Sequence, residues 1–190
     1  AAYEAKPNEQ NALLLGTAHE LAGQGEEALE FLQLHANAEP QDIRVYMLYA
    51  ERLIPHDRNK AKLAYEHVLE LVPDNYVVLN NLAYIYFEEG NLEKAEPLAA
   101  RAVEQQPRNP DIVDTLAQIE MSLGNTQKAL SLYEGIANER IRSDDVFLNY
   151  VEALLLTNKT ALAKRKLEDR TLTSDAATAR LTEMKQTFGL

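Results

Sequence analysis

The sequence of 190 residues has no cysteine. Disulfide frameworks, zinc fingers and thiol catalysis are therefore excluded, while the absence fits any compartment and selects none. No apolar run approaches the roughly 18 residues of a membrane span, so direct membrane insertion of this segment is not expected, and no signal peptide is recognisable. Basic residues are few: Lys and Arg number 19 against 30 Asp and Glu, a net charge of −11. A chain this acidic repels phosphate backbones, so nucleic acid is not an expected partner. The acid is concentrated at the start, where residues 1–43 hold Glu4, Glu9, Glu20, Glu26, Glu27, Glu30, Glu39 and Asp42 against Lys6 alone. The most basic stretch, Lys159 to Arg170, is short, is broken by Glu168 and Asp169, and reads as a solvated helix face. What remains is 46% hydrophobic and 26% charged, enough to fold as one domain or two small ones.

The chain repeats itself. At a constant shift of about 34 residues, Leu82 falls on Leu116, Ala83 on Ala117, Ile85 on Ile119, Gly90 on Gly124, Asn91 on Asn125, Lys94 on Lys128, Ala95 on Ala129 and Leu98 on Leu132. One step back by the same shift, Leu48, Ala61 and Pro73 correspond to Leu82, Ala95 and Pro107. One more step back the shift shortens by a single position, and Ala28 and Pro40 take the same places. A period of this length marks a stacked repeat. Each unit carries two apolar stretches at helical spacing, such as Leu79, Leu82, Ala83 and Tyr86, then Ala95, Leu98, Ala99 and Ala102. Gly90 sits where the first helix stops in a left-handed conformation, Asn91 caps the second, and Pro107 closes it. Each unit is thus a helical hairpin of about 34 residues. Small residues (Gly16, Ala28, Ala83, Ala95, Ala117 and Ala129) mark where helix backbones approach to about 8–10 Å.

This pattern resembles the tetratricopeptide repeat (TPR) family, and Leu79, Leu82, Ala83, Tyr86, Ala95, Ala99, Ala102 and Pro107 carry the resemblance. The departures are the missing Trp, Ala99 in place of an aromatic, Glu120 in place of another, Ile136 in place of Ala, and no Pro closing the fourth unit. The resemblance implies an all-α, right-handed superhelical solenoid spanning residues 1–190. Its units fall at about 9–41, 42–75, 76–109 and 110–143. A degenerate unit at 145–173 keeps Leu148, Val151, Ala163 and Leu167, but its turn "TNKT" has lost the Gly and one residue. A capping helix at about 174–188 shows an apolar stripe of Ala177, Leu181, Met184 and Phe188. The opening "AAYEAKP" reads as the second-helix tail of a repeat truncated at residues 1–8. That reading leaves an apolar end with Leu14, Leu15 and Leu29, through which self-association is expected.

Catalysis is not expected. "HELAG" begins like a zinc-protease motif, but Gly23 stands where the second His must be, so no metal is held. His35 and His67 are read as packing or surface residues on second helices. No phosphate loop is present, no cofactor is implied, and the sequon Asn158-Lys159-Thr160 carries no weight.

A stack of repeats offers surface. In the family the first helices line a concave face, and the resemblance places the peptide groove on Tyr46, Ala50 and Ile54, on Asn80, Tyr84 and Phe87, on Asp114, Gln118 and Met121, and on Asn149 and Ala153. Asn can hold a peptide backbone through both donor and acceptor, and Tyr, Phe and Met supply adaptable apolar contact. Co-chaperone members of the family grip acidic tails with Lys and Arg. This groove has none at the matching sites, and Asp114 would repel a carboxylate. The expected partner is therefore a neutral or basic protein or peptide, bound by a non-enzymatic scaffold. The stretches "NNLAY" and "DTLA" further resemble long bacterial TPR arrays, such as the lipoproteins of exopolysaccharide and PEP-CTERM systems and the periplasmic regions of polysaccharide exporters. That resemblance favours a periplasmic or outer-membrane-associated location. The alternative is an accessory domain of an enzyme such as a glycosyltransferase or protease, or of a polysaccharide-export assembly.

Overall fold

The structure, a computed structural model, describes residues 25–136 and 140–190. Among them are ten α-helices and no strand: α1 (Gly25–Ala38), α2 (Ile43–Leu53), α3 (Arg58–Leu71), α4 (Tyr76–Glu88), α5 (Leu92–Gln105), α6 (Pro110–Ser122), α7 (Thr126–Glu134), α8 (Asp144–Leu156), α9 (Thr160–Glu168) and α10 (Asp175–Phe188). The chain divides into two compact units, with the boundary between Ile85 and Tyr86 inside α4. Leu14 and Leu15 lie outside the described residues, and Leu29 is half-buried.

Short polar residues start the helices. Asp42, Asp57, Asn91, Asn109, Ser143 and Ser174 each accept a hydrogen bond from a backbone N–H of the following turn, satisfying a donor that the helix itself leaves open. In the third and fourth hairpins the stop is equally uniform. Gly90 and Gly124 take φ of 75° and 83°. The next residue then donates back across the turn, Asn91 N to Tyr86 O at 2.8 Å and Asn125 N to Glu120 O at 2.8 Å, which is the Schellman arrangement.

The fifth hairpin corrects the sequence reading. Asn158 stands one full period after Gly124, adopts φ of 61°, and is followed by the same bond, Lys159 N to Leu154 O at 2.8 Å. No residue has been lost from "TNKT". Asn replaces Gly because its short polar side chain also tolerates the left-handed region. The first helix of this hairpin, α8, begins at Asp144 behind the cap Ser143.

In the first unit, Val45, Ala50, Ala61, Tyr65, Val68 and Leu79 are fully buried. Tyr65 accepts at its hydroxyl from Asn81 Nδ2 at 3.1 Å. His35 is buried with Nε2 2.8 Å from Asp42 Oδ2, and His67 meets Pro40 O at 2.7 Å. In the second unit the core runs from Val113 and Ala117 through Ala129, Leu130 and Tyr133 to Leu148, Val151, Leu154 and Ala163, and ends on Ala177 and Met184 of α10. Each fully buried Leu or Val there contributes about 1.5–3 kcal/mol. Leu181 and Phe188 pack partly against the same core.

A clamp seats the terminal helix. Asp144 Oδ2 accepts from the N–H of Thr173 at 2.6 Å, its hydroxyl at 2.8 Å and the N–H of Ser174 at 3.2 Å. Arg170 donates to Asp144 Oδ1 at 3.1 Å and to the carbonyls of Ile141 and Arg142. The Thr173 donors, then Arg170 and Ser174, hold the Asp144 carboxyl down at about 2.

Candidate functional site

The expected groove residues divide between the two units. In the first, Tyr46 lies against the His67 ring at 4.4 Å between centroids and is half-buried. Ala50 has no exposed surface. Its place at a helix contact, where a larger side chain would not fit, removes it from any groove lining. Asn80 keeps a buried Oδ1 without a hydrogen-bond partner. Tyr84 is 46% exposed.

In the second unit Ala153 is closed over in the same way as Ala50. Phe87, Gln118, Met121 and Asn149 meet at one opening. This pocket of about 290 Å³ is lined by Phe87 of α4, Gln118, Met121 and Ser122 of α6, Asn149, Glu152 and Leu156 of α8, and Arg180 of α10. Phe87, Met121 and Leu156 supply apolar surface. The polar lining rests on a buried network centred on Asp114.

Asp114 is buried and projects from α6 toward α7 and α8. Its Oδ1 accepts from the Tyr133 hydroxyl at 2.6 Å and from Asn149 Nδ2 at 2.9 Å. Its Oδ2 accepts from Gln118 Nε2 at 2.6 Å and from Asn149 Nδ2 at 3.1 Å. Burial pushes the Asp114 carboxyl up, and the bonds from Tyr133, Asn149 and Gln118, with the charge of Arg180, oppose that rise. Burial and the neighbouring Asp114 charge push the Tyr133 hydroxyl well above its usual range, so it keeps its proton and donates. The network extends outward: Arg180 donates to Asn149 Oδ1 at 2.6 Å and to Glu152 Oε2 at 3.0 Å.

This geometry revises two expectations. Asp114 does not face a ligand, because both its oxygens are engaged by donors from its own unit. It is a strut rather than a group placed for proton transfer. Asn149, buried and used at both ends of its amide, holds Asp114 and Arg180 in place of a peptide backbone. Arg180 and Glu152 are pocket residues that sequence reasoning missed. Arg180 lies on a helix outside the repeat register, far along the chain from Asn149, and nothing local marks it.

Among the described residues no group of three or more His, Asp or Glu side chains is placed to hold a metal ion, and no helix is long and apolar enough to cross a membrane.

An all-α array of helical hairpins with one regular period, and a left-handed residue at the turns of the third, fourth and fifth hairpins, defines a class of helical-repeat protein. Residues 54–119 match the family model of the tetratricopeptide repeat. Known structures of that fold superpose on the chain at low identity. A tetratricopeptide repeat protein from Parabacteroides merdae aligns with a TM-score of 0.77 at 18% identity, covering 98% of this chain and 76% of that one. MamA residues 41 to the end from Desulfovibrio magneticus RS-1 aligns at 0.72 and 15%, covering 85% and 92%. Another MamA structure aligns at 0.70 and 14%, covering 96% of each chain. No curated protein sequence matches. Residues 54–119 thus carry a tetratricopeptide-repeat sequence match, and the fold is that of solved tetratricopeptide-repeat structures over most of the chain.

Proposed function

We propose that the chain is a non-enzymatic scaffold that binds a protein or peptide segment on the first-helix face of its second unit. The observation that carries this reading is the pocket itself. Three helices present Phe87, Met121 and Leu156 around Gln118 and Ser122, while Asp114, Asn149 and Arg180 are locked to one another. A preformed opening with apolar anchors and a few fixed polar groups is the usual form of a recognition site. Arg180 is tied to Glu152 and Asp114 lies behind, so the pocket offers little uncompensated positive charge. A neutral or basic segment fits it better than an acidic one. Membership of a longer bacterial repeat array is consistent with this role and belongs to the same proposal.

The test is selection of binding peptides from a displayed library on the 190-residue protein, followed by Phe87→Ala and Met121→Ala. Truncating a central anchor costs about 2 kcal/mol, or roughly thirtyfold in Kd, with little change in melting temperature because both side chains are only half-buried. Selected peptides that bind both variants as tightly as the parent would place recognition elsewhere. Asn149→Ala lowers stability as well as binding, because it releases Asp114 and Arg180 together.

A further inference from the structure

The repeat places two arginines in register. Arg108 precedes the cap Asn109 of α6, and Arg142, one period later, precedes the cap Ser143 of α8. With Arg140 they line an open pocket of about 400 Å³, completed by Gln106, Asn109 and Pro110. All three arginines are exposed, and their guanidinium groups have no hydrogen-bond or ion-pair partner among the described residues. Arg170 is bonded to the carbonyls of Ile141 and Arg142, and its charge is matched by the Asp144 carboxylate. Asp111 and Asp145, in the first turns of α6 and α8, are the exposed carboxylates closest in sequence within the described residues. In a chain of net charge −11, this is, among the described residues, a concentration of unpaired positive charge, built from inter-repeat loops and separate from the Phe87–Arg180 pocket.

The geometry points to a second docking site here, for a short acidic peptide segment. Guanidinium groups match carboxylates with paired parallel hydrogen bonds. α6 and α8, which Arg108 and Arg142 precede, pack together, and packed helix axes lie about 8–10 Å apart. An extended peptide advances about 3.3 Å per residue, so acids three positions apart span a distance comparable to that helix separation. The volume exceeds what one small anion fills and falls in the range of a ligand site. A long polyanion such as nucleic acid would meet the acidic remainder of the chain, whereas a short segment places each of its two carboxylates within a Debye length, about 8 Å at physiological salt, of an arginine.

The probe is a fluorescent octapeptide with Asp at its second and fifth positions among Gly and Ser, titrated by anisotropy against the 190-residue protein at low salt. The expected result is saturable binding that weakens with added salt and is lost when both Asp are replaced by Asn. Arg108→Gln with Arg142→Gln lowers affinity by about tenfold and leaves the circular dichroism unchanged. Lys164→Gln with Lys185→Gln, an equal change of net charge on exposed residues elsewhere, leaves affinity unchanged. The proposal is overturned if the arginine pair variant keeps its affinity, if the lysine pair loses as much, or if inorganic phosphate displaces the peptide at the peptide's own concentration, which would define a simple ion site.

Discussion

The position that departs most from the family pattern makes the sharpest test of the packing. In the third hairpin Tyr86 is buried with Lys94 Nζ 5.2 Å from its ring centroid. One period on, Glu120 replaces the tyrosine and Lys128 retains the lysine. The Glu120 side chain is 1% exposed; Lys128 Nζ pairs with its Oε1 and reaches Glu96 at 3.3 Å, and Asn125 Nδ2 donates to Oε2 at 2.9 Å. A cation–π contact in one repeat has become an ion pair in the next. Removing one partner of a fully buried pair costs about 3–5 kcal/mol, whereas replacing the pair by apolar groups of similar volume is about neutral. The Lys128 side chain is 54% exposed, so part of that cost is screened, and Lys128→Met should destabilise by about 2 kcal/mol. Glu120→Met removes the buried charge itself, conserves volume, and should change stability by less than about 1 kcal/mol. The double variant should then resemble Glu120→Met. Urea unfolding followed by circular dichroism, with hydrogen exchange of the α6 and α7 amides as the local readout, measures all three. If Lys128→Met costs no more than Glu120→Met, the buried carboxylate does not depend on its lysine and the reasoning fails.

Three further outcomes follow from named contacts. Asp144 is held below the usual carboxylate range, at about 2, so its stabilising contribution is present above the unfolded pKa and is lost as pH falls through about 2. Asp144→Asn should lower the melting temperature at neutral pH, and thermal scans should show the gap to the parent closing between about pH 4 and 2. Tyr133→Phe takes one donor from buried Asp114 and should cost about 1–3 kcal/mol in the unfolding free energy measured in urea. At the turns, Gly124→Ala meets no atom within 4 Å but must hold φ at 83°, so it should destabilise by about 1 kcal/mol. Asn158→Gly, at φ of 61°, should stabilise by up to about 1 kcal/mol, and melting temperatures equal to the parent's in both cases would refute the backbone argument.

What the sequence discloses follows from what a period can encode. Ala61, Ala95, Ala129 and Ala163 recur once per repeat and are all fully buried, because each marks the same helix contact and only a small side chain fits it. Helix caps and the glycine turns are legible for the same local reason. The turn at Asn158 escapes a reading that seeks glycine as a residue type, whereas the structure requires a conformation that asparagine also reaches. The site is less legible. Helical spacing identifies which residues share a face of their own helix, and by that measure Ala50, Asp114 and Met121 are equivalent. What separates them is the neighbour that covers them. Ala50 is closed over entirely, Asp114 is engaged by Tyr133 and Asn149, and Met121 reaches the pocket. Coverage is a tertiary quantity, and the repeat does not carry it where the repeat ends. α10 lies outside the repeat register, yet it brings Arg180 to Asn149 and Glu152 and so converts an exposed polar face into a built pocket. Arg108 and Arg142 show the converse. They lie one period apart, and their meaning depends on a neutral fact of the fold: adjacent repeats present equivalent loops side by side, so a residue repeated once in sequence becomes a pair in space. The search for function in such an array therefore gains more from asking which exposed residue types recur at the period than from asking which single residues look chemical.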